Sequence, residues 1–276
     1  MCHAACAGSR NVPEHSAATN PPNIYINYIM NKQSNIYTII YIIVLVVLVG
    51  TALAATSLAL KGRQQENIDA DKMNQILAAA LITPSEGETV ADFNRYITEQ
   101  YVINAQGERI EGAKAFDVNV ANEIKEPADR RQLPVYVCTT LDGSRKYILP
   151  VYGAGLWGPI WGYVAFNSDG STIYGAYFAH QGETPGLGAE IEKPAFSDQF
   201  KGKQVIKDGR FRPIAVVKAG QQPLDGEDYV DGISGGTITS KGVGSMLDNC
   251  LVPYRKFLQS LSDQQTPNTS ESWQKR

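Results

Sequence analysis

The chain carries the segment DGISGGTITSK at Asp231–Lys241. Two adjacent glycines, Gly235 and Gly236, lie between the hydroxyl residues Ser234 and Thr237, and an apolar periodic stretch follows. Glycines permit backbone conformations with positive φ and let another group approach the main chain. Free N–H groups at the start of the following helix favour an anion, typically a phosphate. The segment therefore predicts a tight turn with a reachable Thr237 hydroxyl beside a phosphate-compatible helix start.

Two other interpretations fit the same segment. A Gly-Gly-Thr sequence before a helix is most often only a turn with a helix cap. Residues 232–236 also fit G-x-S-x-G, the nucleophile elbow of α/β-hydrolases, in which an acid and then a histidine follow the serine. The histidines are His3, His15 and His180, and all of them precede Ser234. This order disfavours a hydrolase, because the general base is missing from its expected place.

The composition indicates one globular domain with an additional segment. The chain has 276 residues, 43% hydrophobic and 19% charged, and a formal net charge of −3. This mildly acidic balance does not indicate nucleic-acid binding. Cys2, Cys6, Cys138 and Cys250 have no metal-ligand spacing, so we expect no metal site. The last two cysteines lie in apolar segments, which favours buried thiols and leaves a disulfide between them open.

Residues 36–60 form an uncharged apolar run. About 20 apolar residues cross the bilayer core as a helix, and a signal-peptide core has only about 7–15. We therefore predict a single transmembrane helix. Lys32 lies before it and Lys61 and Arg63 lie after it, so the positive-inside rule does not decide its orientation.

The rest of the chain divides into three further parts. Residues 1–35 are a polar leader that is either disordered or precedes the true start at Met30. Residues 61–261 form the soluble domain. Residues 262–276 form a polar tail that we expect to be loose.

Within the soluble domain, the sequence predicts helices and hairpins in separate groups. Apolar periodicity and turn residues place helices at residues 61–81, 90–101 and 194–200, and a last helix after Thr237 that Pro253 kinks or ends. Three Asp-Gly pairs between β-rich runs predict hairpins: residues 133–140 with 145–152, 162–167 with 171–179, and 203–206 with 211–218. Segregated hairpins and helices indicate an α+β fold. No G-x-G-x-x-G fingerprint follows a strand, so we expect no bound NADH.

Three stretches, in this order along the chain, carry a resemblance to a known family. They are GAGLWGPIWGY at 153–163, ETPGLG at 183–188 and D-x-x-S-G-G-T at 231–237. The last is similar to the motif on which a flavin transferase esterifies FMN, through its phosphate, to a threonine; here that residue is Thr237, and Gly236 replaces the usual alanine. The chain resembles the FMN-binding C subunit of the sodium-translocating NADH:quinone reductase, and its cousin, the G subunit of the Rnf complex.

The resemblance implies a set of cofactor-binding residues. Thr237 carries covalent FMN through a phosphoester, and no protein residue beyond the flavin is catalytic. The flavin ring is flat and mostly apolar, so glycines that let the backbone approach it and aromatic side chains that stack on it suit its binding. The remaining members are Asp231, Ser234, Gly235 and Gly236 around the bond, and Leu156, Trp157, Thr184, Gly186 and Leu187 around the ring. We read His180 as a satisfied histidine at a strand end and Glu183 as a loop cap.

The resemblance also implies a function. The chain would be a single-pass flavoprotein of the bacterial inner membrane, with residues 61–261 on the periplasmic side. It would relay electrons between other subunits of a sodium-pumping NADH:quinone oxidoreductase. Its partners would be those subunits, membrane lipid, and a flavin transferase for maturation.

Two alternatives remain at this point. The first is the Rnf G subunit, which would work with ferredoxin and NAD; the extended segment between the membrane helix and the first hairpin favours the quinone reductase. The second is a membrane-anchored assembly module without a cofactor, which would be colourless.

Overall fold

The computed structural model describes residues 35–223 and 226–265. The predicted leader, its start at Met30 and most of the predicted tail lie outside this part of the chain. The chain divides into two units between Lys61 and Gly62.

The first unit carries most of helix α1, Asn35–Ala79. This helix is long and apolar enough to cross a membrane, and its apolar window is not buried against other parts of the protein. Large apolar side chains such as Ile43, Val46 and Leu53 are exposed. A helix that is apolar on all sides requires either a protein core or a lipid environment. Because no core covers this one within the described residues, its composition supports membrane anchoring.

In the second unit, α1 continues as an amphipathic segment. Ile76, Leu77 and Ala80 are fully buried, as the apolar stripe predicted. The predicted helix at 90–101 is only half correct. Helix α2 (Thr89–Tyr96) ends early, and strand β1 (Ile97–Ile103) follows it and pairs antiparallel with strand β2 (Leu133–Thr139). Tertiary pairing decides this stretch, since its short mixed pattern of apolar and polar residues does not separate a helix from a strand.

The centre of the second unit is a five-stranded antiparallel sheet in sequential order. The sheet contains the first two predicted hairpins, and Gly143 and Gly170 adopt positive φ in their turns. Its strands are β1 (Ile97–Ile103), β2 (Leu133–Thr139), β3 (Arg145–Ala154), β4 (Pro159–Asn167) and β5 (Ile173–His180).

The third predicted hairpin is shorter than expected. Strands β6 (Ile206–Lys207) and β7 (Arg210–Phe211) form a small hairpin, but Pro213 follows and cannot donate to a ladder. The chain then enters β8 (Ala215–Val217), which pairs in parallel with β9 (Tyr229–Asp231). The sequence did not predict β9, which leads into the segment that contains Thr237.

Short helices flank this framework. They are α2 (Thr89–Tyr96), α3 (Val120–Glu123), α4 (Pro194–Ser197), α5 (Thr237–Leu251) and α6 (Arg255–Gln265). The predicted break at Pro253 is a 3-10 turn, Val252–Tyr254, between α5 and α6. Helix α6 runs to Gln265, past the predicted start of the tail at Ser262.

Apolar cores cover both faces of the sheet. Successive residues of a strand point to opposite faces, so Val137 packs with α5 and α6, whereas Cys138 packs with the end of α1 and with α2. Cys250 belongs to the α5 core. Cys138 and Cys250 are therefore buried free thiols on opposite faces of the sheet, which rules out the disulfide. Burial raises the pKa of Cys138 to about 11. The fold is α+β, as predicted.

Candidate functional site

The glycine segment forms a tight turn directly before α5. Gly235 has φ +77°, and the Gly236 N–H donates to the Ile233 carbonyl at 3.0 Å. The Ile233 N–H donates to Ser240 Oγ at 2.8 Å, which ties the turn to the helix. Thr237 is the first residue of α5. The local structure is the turn and helix start that the sequence predicted.

Thr237 is exposed at this helix start. The first N–H groups of a helix have no partner within it, and none of the described side chains caps α5. These N–H groups and the positive end of the helix dipole suit a phosphate on the adjacent hydroxyl. The position therefore fits a phosphoester of Thr237.

Asp231 ends β9, and its backbone is held by Gln199. The Asp231 N–H donates to Gln199 Oε1 at 2.8 Å, and Gln199 Nε2 donates to the Asp231 carbonyl at 3.3 Å. The Asp231 side chain is exposed, and Oδ1 accepts a long bond of 3.4 Å from the Gly220 N–H. The carboxylate is thus accessible to another protein.

The carboxylate of Glu183, in the second stretch, is 5% exposed and contacts both the first stretch and the helical turn that begins with Thr237, the last residue of the third. Glu183 Oε2 accepts a 2.6 Å hydrogen bond from Thr239 Oγ1, on the first turn of α5. Glu183 Oε1 accepts a 2.9 Å bond from the Trp157 N–H. Burial alone would raise the pKa of Glu183. The bonds from Thr239 and from the backbone of Trp157 and Leu156, together with the nearby His180, instead hold that pKa below its usual value.

Glycines allow these segments to pack closely around the carboxylate. A methyl group on Gly155 would lie 2.4 Å from Glu183 Oε1, and one on Gly188 would lie 2.4 Å from both Glu183 Oε2 and Thr239 Oγ1. A methyl group on Gly242 would lie 2.3 Å from the Ala154 carbonyl. Each of these positions therefore requires the smallest residue.

Apolar side chains remain exposed on two of the three stretches, 153–163 and 183–188. Trp157 is 69% exposed, Leu156 49% and Leu187 42%. Leu187 lies beside the turn, since a Cβ on Gly235 would be 2.6 Å from its Cδ2. A flat apolar ring would cover such surface.

The ETPGLG stretch is a compact loop. The Thr184 carbonyl accepts from the N–H groups of Leu187 and Ala189 at 3.1 and 3.2 Å. Gly186 has φ +75°, and its N–H donates to Glu190 Oε1 at 3.1 Å. The exposed side chain of Thr184 and this turn leave the loop accessible from solvent.

Two larger cavities lie in the domain. One, of about 700 Å³, is bounded by residues 152–159 and by Gly242, Ser245 and Asn249 of α5, and it includes Leu156 and Trp157. The other, of about 620 Å³, lies between α1 and strands β3 and β4 and contains none of the predicted cofactor-binding residues. The first cavity is therefore the one connected with the candidate site.

His180 is fully engaged, as predicted. Its Nδ1 accepts the Glu183 N–H at 3.1 Å, and its Nε2 lies 3.7 Å from Glu192 Oε1. Sequence reasoning assigned Glu183 only a loop cap and did not single out Thr239. The signal for both was indirect: the glycines around them indicate close packing, but not what they pack against.

Comparisons with known proteins agree with this geometry. Residues 155–252 match the FMN-binding domain family, and this range contains Glu183 and its partners Trp157 and Thr239. The chain is 34% identical to the C subunit of the Na(+)-translocating NADH-quinone reductase of Vibrio anguillarum over 79% of this chain and 91% of that protein. It is 32% identical to the same protein of Neisseria meningitidis over 85% of this chain and 98% of that protein.

Solved structures give the same result. The crystal structure of the C subunit from Parabacteroides distasonis has 50% sequence identity and a TM-score of 0.67, covering 72% of this chain and 96% of that one. The Shewanella oneidensis NqrC structure has 26% identity and a TM-score of 0.59, covering 71% and 99%. On fold, motifs and coverage together, the chain belongs to the C-subunit family of the Na(+)-translocating NADH-quinone reductase.

Proposed function

We propose that the chain is the FMN-carrying subunit of a sodium-translocating NADH-quinone reductase and that FMN is joined to Thr237 through a phosphoester. The observation that carries this proposal is the exposed Thr237 hydroxyl at the uncapped start of α5. The neighbouring loops pack closely there because they have glycines where a Cβ would clash. When bound, FMN supplies the redox chemistry, and the protein supplies position and electrostatics.

The described residues fit both parts of FMN. The N–H groups at the start of α5 would hold the phosphate, and Ser234, Gly235 and Gly236 would keep the turn open around the bond. Leu156, Trp157 and Leu187 offer apolar surface to the ring, and Thr184 and Gly186 shape the loop on the same side. Asp231 presents its carboxylate to the flavin transferase that reads the motif.

A flavin that is covalently attached to this subunit would pass electrons between the redox centres of neighbouring subunits. A covalent bond keeps the carrier in the complex, and α1 holds the domain at the bilayer, in contact with lipid. We place the soluble domain on the periplasmic side of a bacterial inner membrane. The Rnf alternative is not favoured, because the relatives from Vibrio anguillarum and Neisseria meningitidis are C subunits of the quinone reductase.

The proposal is tested by peptide mass spectrometry of the chain purified from its native membrane. The peptide that contains residues 231–241 is expected to carry one FMN less one water, with the added mass on Thr237. The denatured chain should also fluoresce as a flavin on a gel. An unmodified peptide would rule out the covalent site, and a colourless purified protein would favour the cofactor-free assembly module.

Removal of residues 1–60 should release the domain from the membrane. A truncated chain that starts at Lys61 keeps the buried Ile76 and Leu77 and loses the exposed apolar part of α1. We expect it in the soluble fraction, with a circular-dichroism spectrum that still shows the folded sheet. The full chain should stay with membranes after a carbonate wash. A truncated chain that still requires detergent would contradict single-segment anchoring.

A bulky residue at Gly186 should change the flavin environment more than the attachment. Gly186 has φ +75° and open space around it, so Gly186→Val shifts the loop at a cost of about 1–2 kcal/mol rather than by a clash. We expect altered flavin absorption and midpoint potential with near-normal covalent loading. Gly202→Val is the matched control, since Gly202 has φ +76°, open space and no place in the three stretches. Identical spectra in the two variants would separate this loop from the ring.

A further inference from the structure

The two ends of the proposed flavin site share one anchor. We propose that Glu183 is the positioning residue for flavin attachment: its carboxylate holds the first turn of α5 in the orientation in which Thr237 receives FMN. The inference rests on the proposed attachment at Thr237. Glu183 would touch neither the phosphate nor the ring, and would act through Thr239 and the backbone of residues 156–157.

The contact with α5 is short, buried and close to Thr237. Glu183 Oε2 accepts from Thr239 Oγ1 at 2.6 Å, and Thr239 is 1% exposed. Thr239 lies two residues after Thr237 on the same helical turn, so fixing the Thr239 hydroxyl fixes the rotation of that turn. The rotation decides where the Thr237 hydroxyl and the first N–H groups of α5 point.

The second oxygen reaches the opposite side of the site. Glu183 Oε1 accepts from the Trp157 N–H at 2.9 Å, and the Leu156 backbone also binds this carboxylate. Leu156 and Trp157 carry the exposed apolar surface proposed for the ring. One carboxylate thus sets the distance between the hydroxyl that takes the phosphate and the loop that faces the ring.

Glutamine would replace this group only with weaker contacts. All the groups that bind the Glu183 side-chain oxygens are donors, namely a hydroxyl and backbone N–H groups. An ionised carboxylate accepts through both oxygens, whereas a glutamine amide offers one acceptor oxygen and turns an NH₂ donor toward the other partner. Glu183→Gln therefore keeps the size of the side chain and can keep both contacts, because the Thr239 hydroxyl can accept from the new NH₂ group, but it replaces charge-assisted hydrogen bonds with weaker neutral ones.

The way in which Glu183 binds α5 also keeps the phosphate position free. An acidic side chain near a helix start commonly binds the backbone N–H groups themselves. Glu183 instead binds the Thr239 hydroxyl, and no described side chain caps α5. The helix start is held by a carboxylate while its N–H groups remain available for an anion.

The test measures how fast covalent FMN accumulates on the full chain in membranes, supplied with the flavin transferase and flavin adenine dinucleotide; the bond from Thr237 Oγ1 to phosphorus forms as the phosphoanhydride bond of the dinucleotide breaks and AMP leaves. Flavin fluorescence of the denatured chain is followed over time. We expect Thr239→Val to slow the initial rate about tenfold, which is the size of one lost hydrogen bond to a charged group, and Glu183→Gln to slow it about threefold or more, because its hydrogen bonds become neutral. Thr239→Ser keeps the hydroxyl, so its rate should be close to that of the wild-type chain.

Two further variants separate positioning from a general structural effect. Glu192→Gln alters an exposed carboxylate in the same region that contacts His180, and it should leave the rate unchanged. The double variant Glu183→Gln with Thr239→Val should be about as slow as the slower single variant, because both changes act on the same Glu183–Thr239 contact.

The outcomes are distinct. Normal rates in both Glu183→Gln and Thr239→Val, or multiplied effects in the double variant, would overturn the positioning role while leaving attachment at Thr237 intact. If Glu183→Gln does not fold, Thr239→Val decides, since it leaves Glu183 with its backbone donors and changes little volume. If the wild-type chain acquires no FMN at Thr237, the proposed function itself is wrong, and so is this inference.

Discussion

Thr237→Ala is expected to abolish covalent flavin completely. The segment offers four hydroxyls, and the structure separates them: Thr239 binds Glu183 and Ser240 accepts the Ile233 N–H, and both are buried. Ser234 and Thr237 are the exposed members of this described segment. Thr237 is the one at the helix start, where the N–H groups of α5 can hold the phosphate.

The loss should occur in a folded protein. Thr237 is exposed, and its replacement removes no buried contact, so the free energy of unfolding should change by less than about 0.5 kcal/mol. Thr237→Ser keeps the nucleophile and should retain part of the flavin. Ser85→Ala is the control, because it removes an exposed hydroxyl outside the three stretches and outside the cavity beside Trp157, and it should leave loading unchanged.

In-gel fluorescence and peptide mass give the measurement. Both signals should vanish in Thr237→Ala and persist in Ser85→Ala, with equal amounts of folded protein in each sample. If the Thr237→Ala protein still carried covalent flavin, the bond would be on another residue and the assignment to Thr237 would be wrong. The same protein made without the transferase should be colourless after denaturation.

Local chemistry predicted much of this molecule from its sequence. The Asp-Gly turns set two hairpins of the main sheet, because positive φ at Gly143 and Gly170 suits tight connections. The apolar stripe of α5 was also correct: Val243, Met246 and Leu247 are buried. These features depend on neighbouring residues, so the sequence contains them directly.

Features that depend on distant partners were missed. The segment from Ile97 to Tyr101 reads as the end of a helix until β2 is present to pair with it. Strand β9 exists because β8 lies beside it in parallel, and the short β8 run gives no sign of that partner. A pattern that spans a few residues cannot specify a ladder formed across the fold.

The candidate site shows the same division. The turn and the exposed Thr237 follow from adjacent glycines, whereas the role of Glu183 does not. Its partners Trp157 and Thr239 lie 26 and 56 residues away. Before folding, a glutamate in a Gly-Pro-rich loop resembles any loop cap, and only the sheet and α5 bring its partners together.

Gly188→Ala should destabilise the domain and impair loading, although it adds one methyl group. A Cβ at residue 188 would lie 2.4 Å from Glu183 Oε2 and 2.4 Å from Thr239 Oγ1. These two atoms are hydrogen-bonded to each other and buried, so neither can move aside freely. Overpacking of this kind costs about 1–3 kcal/mol. Displacement of the carboxylate would also weaken its bonds with backbone N–H groups such as that of Trp157.

Gly182→Ala provides the matched control in the same loop. Gly182 is exposed, has nothing within 4 Å of the added Cβ and does not adopt positive φ. Replacing glycine by alanine at such a position stabilises a protein by about 0.4–1 kcal/mol, because it restricts the unfolded chain. The two variants make the same chemical change and should therefore shift stability in opposite directions. Thermal unfolding of the full chain, followed by circular dichroism, measures the shift, and flavin fluorescence of the denatured chain measures loading. A Gly188→Ala protein that melts no lower than Gly182→Ala and loads FMN normally would show that the close packing of Gly188, Glu183 and Thr239 does not support the site.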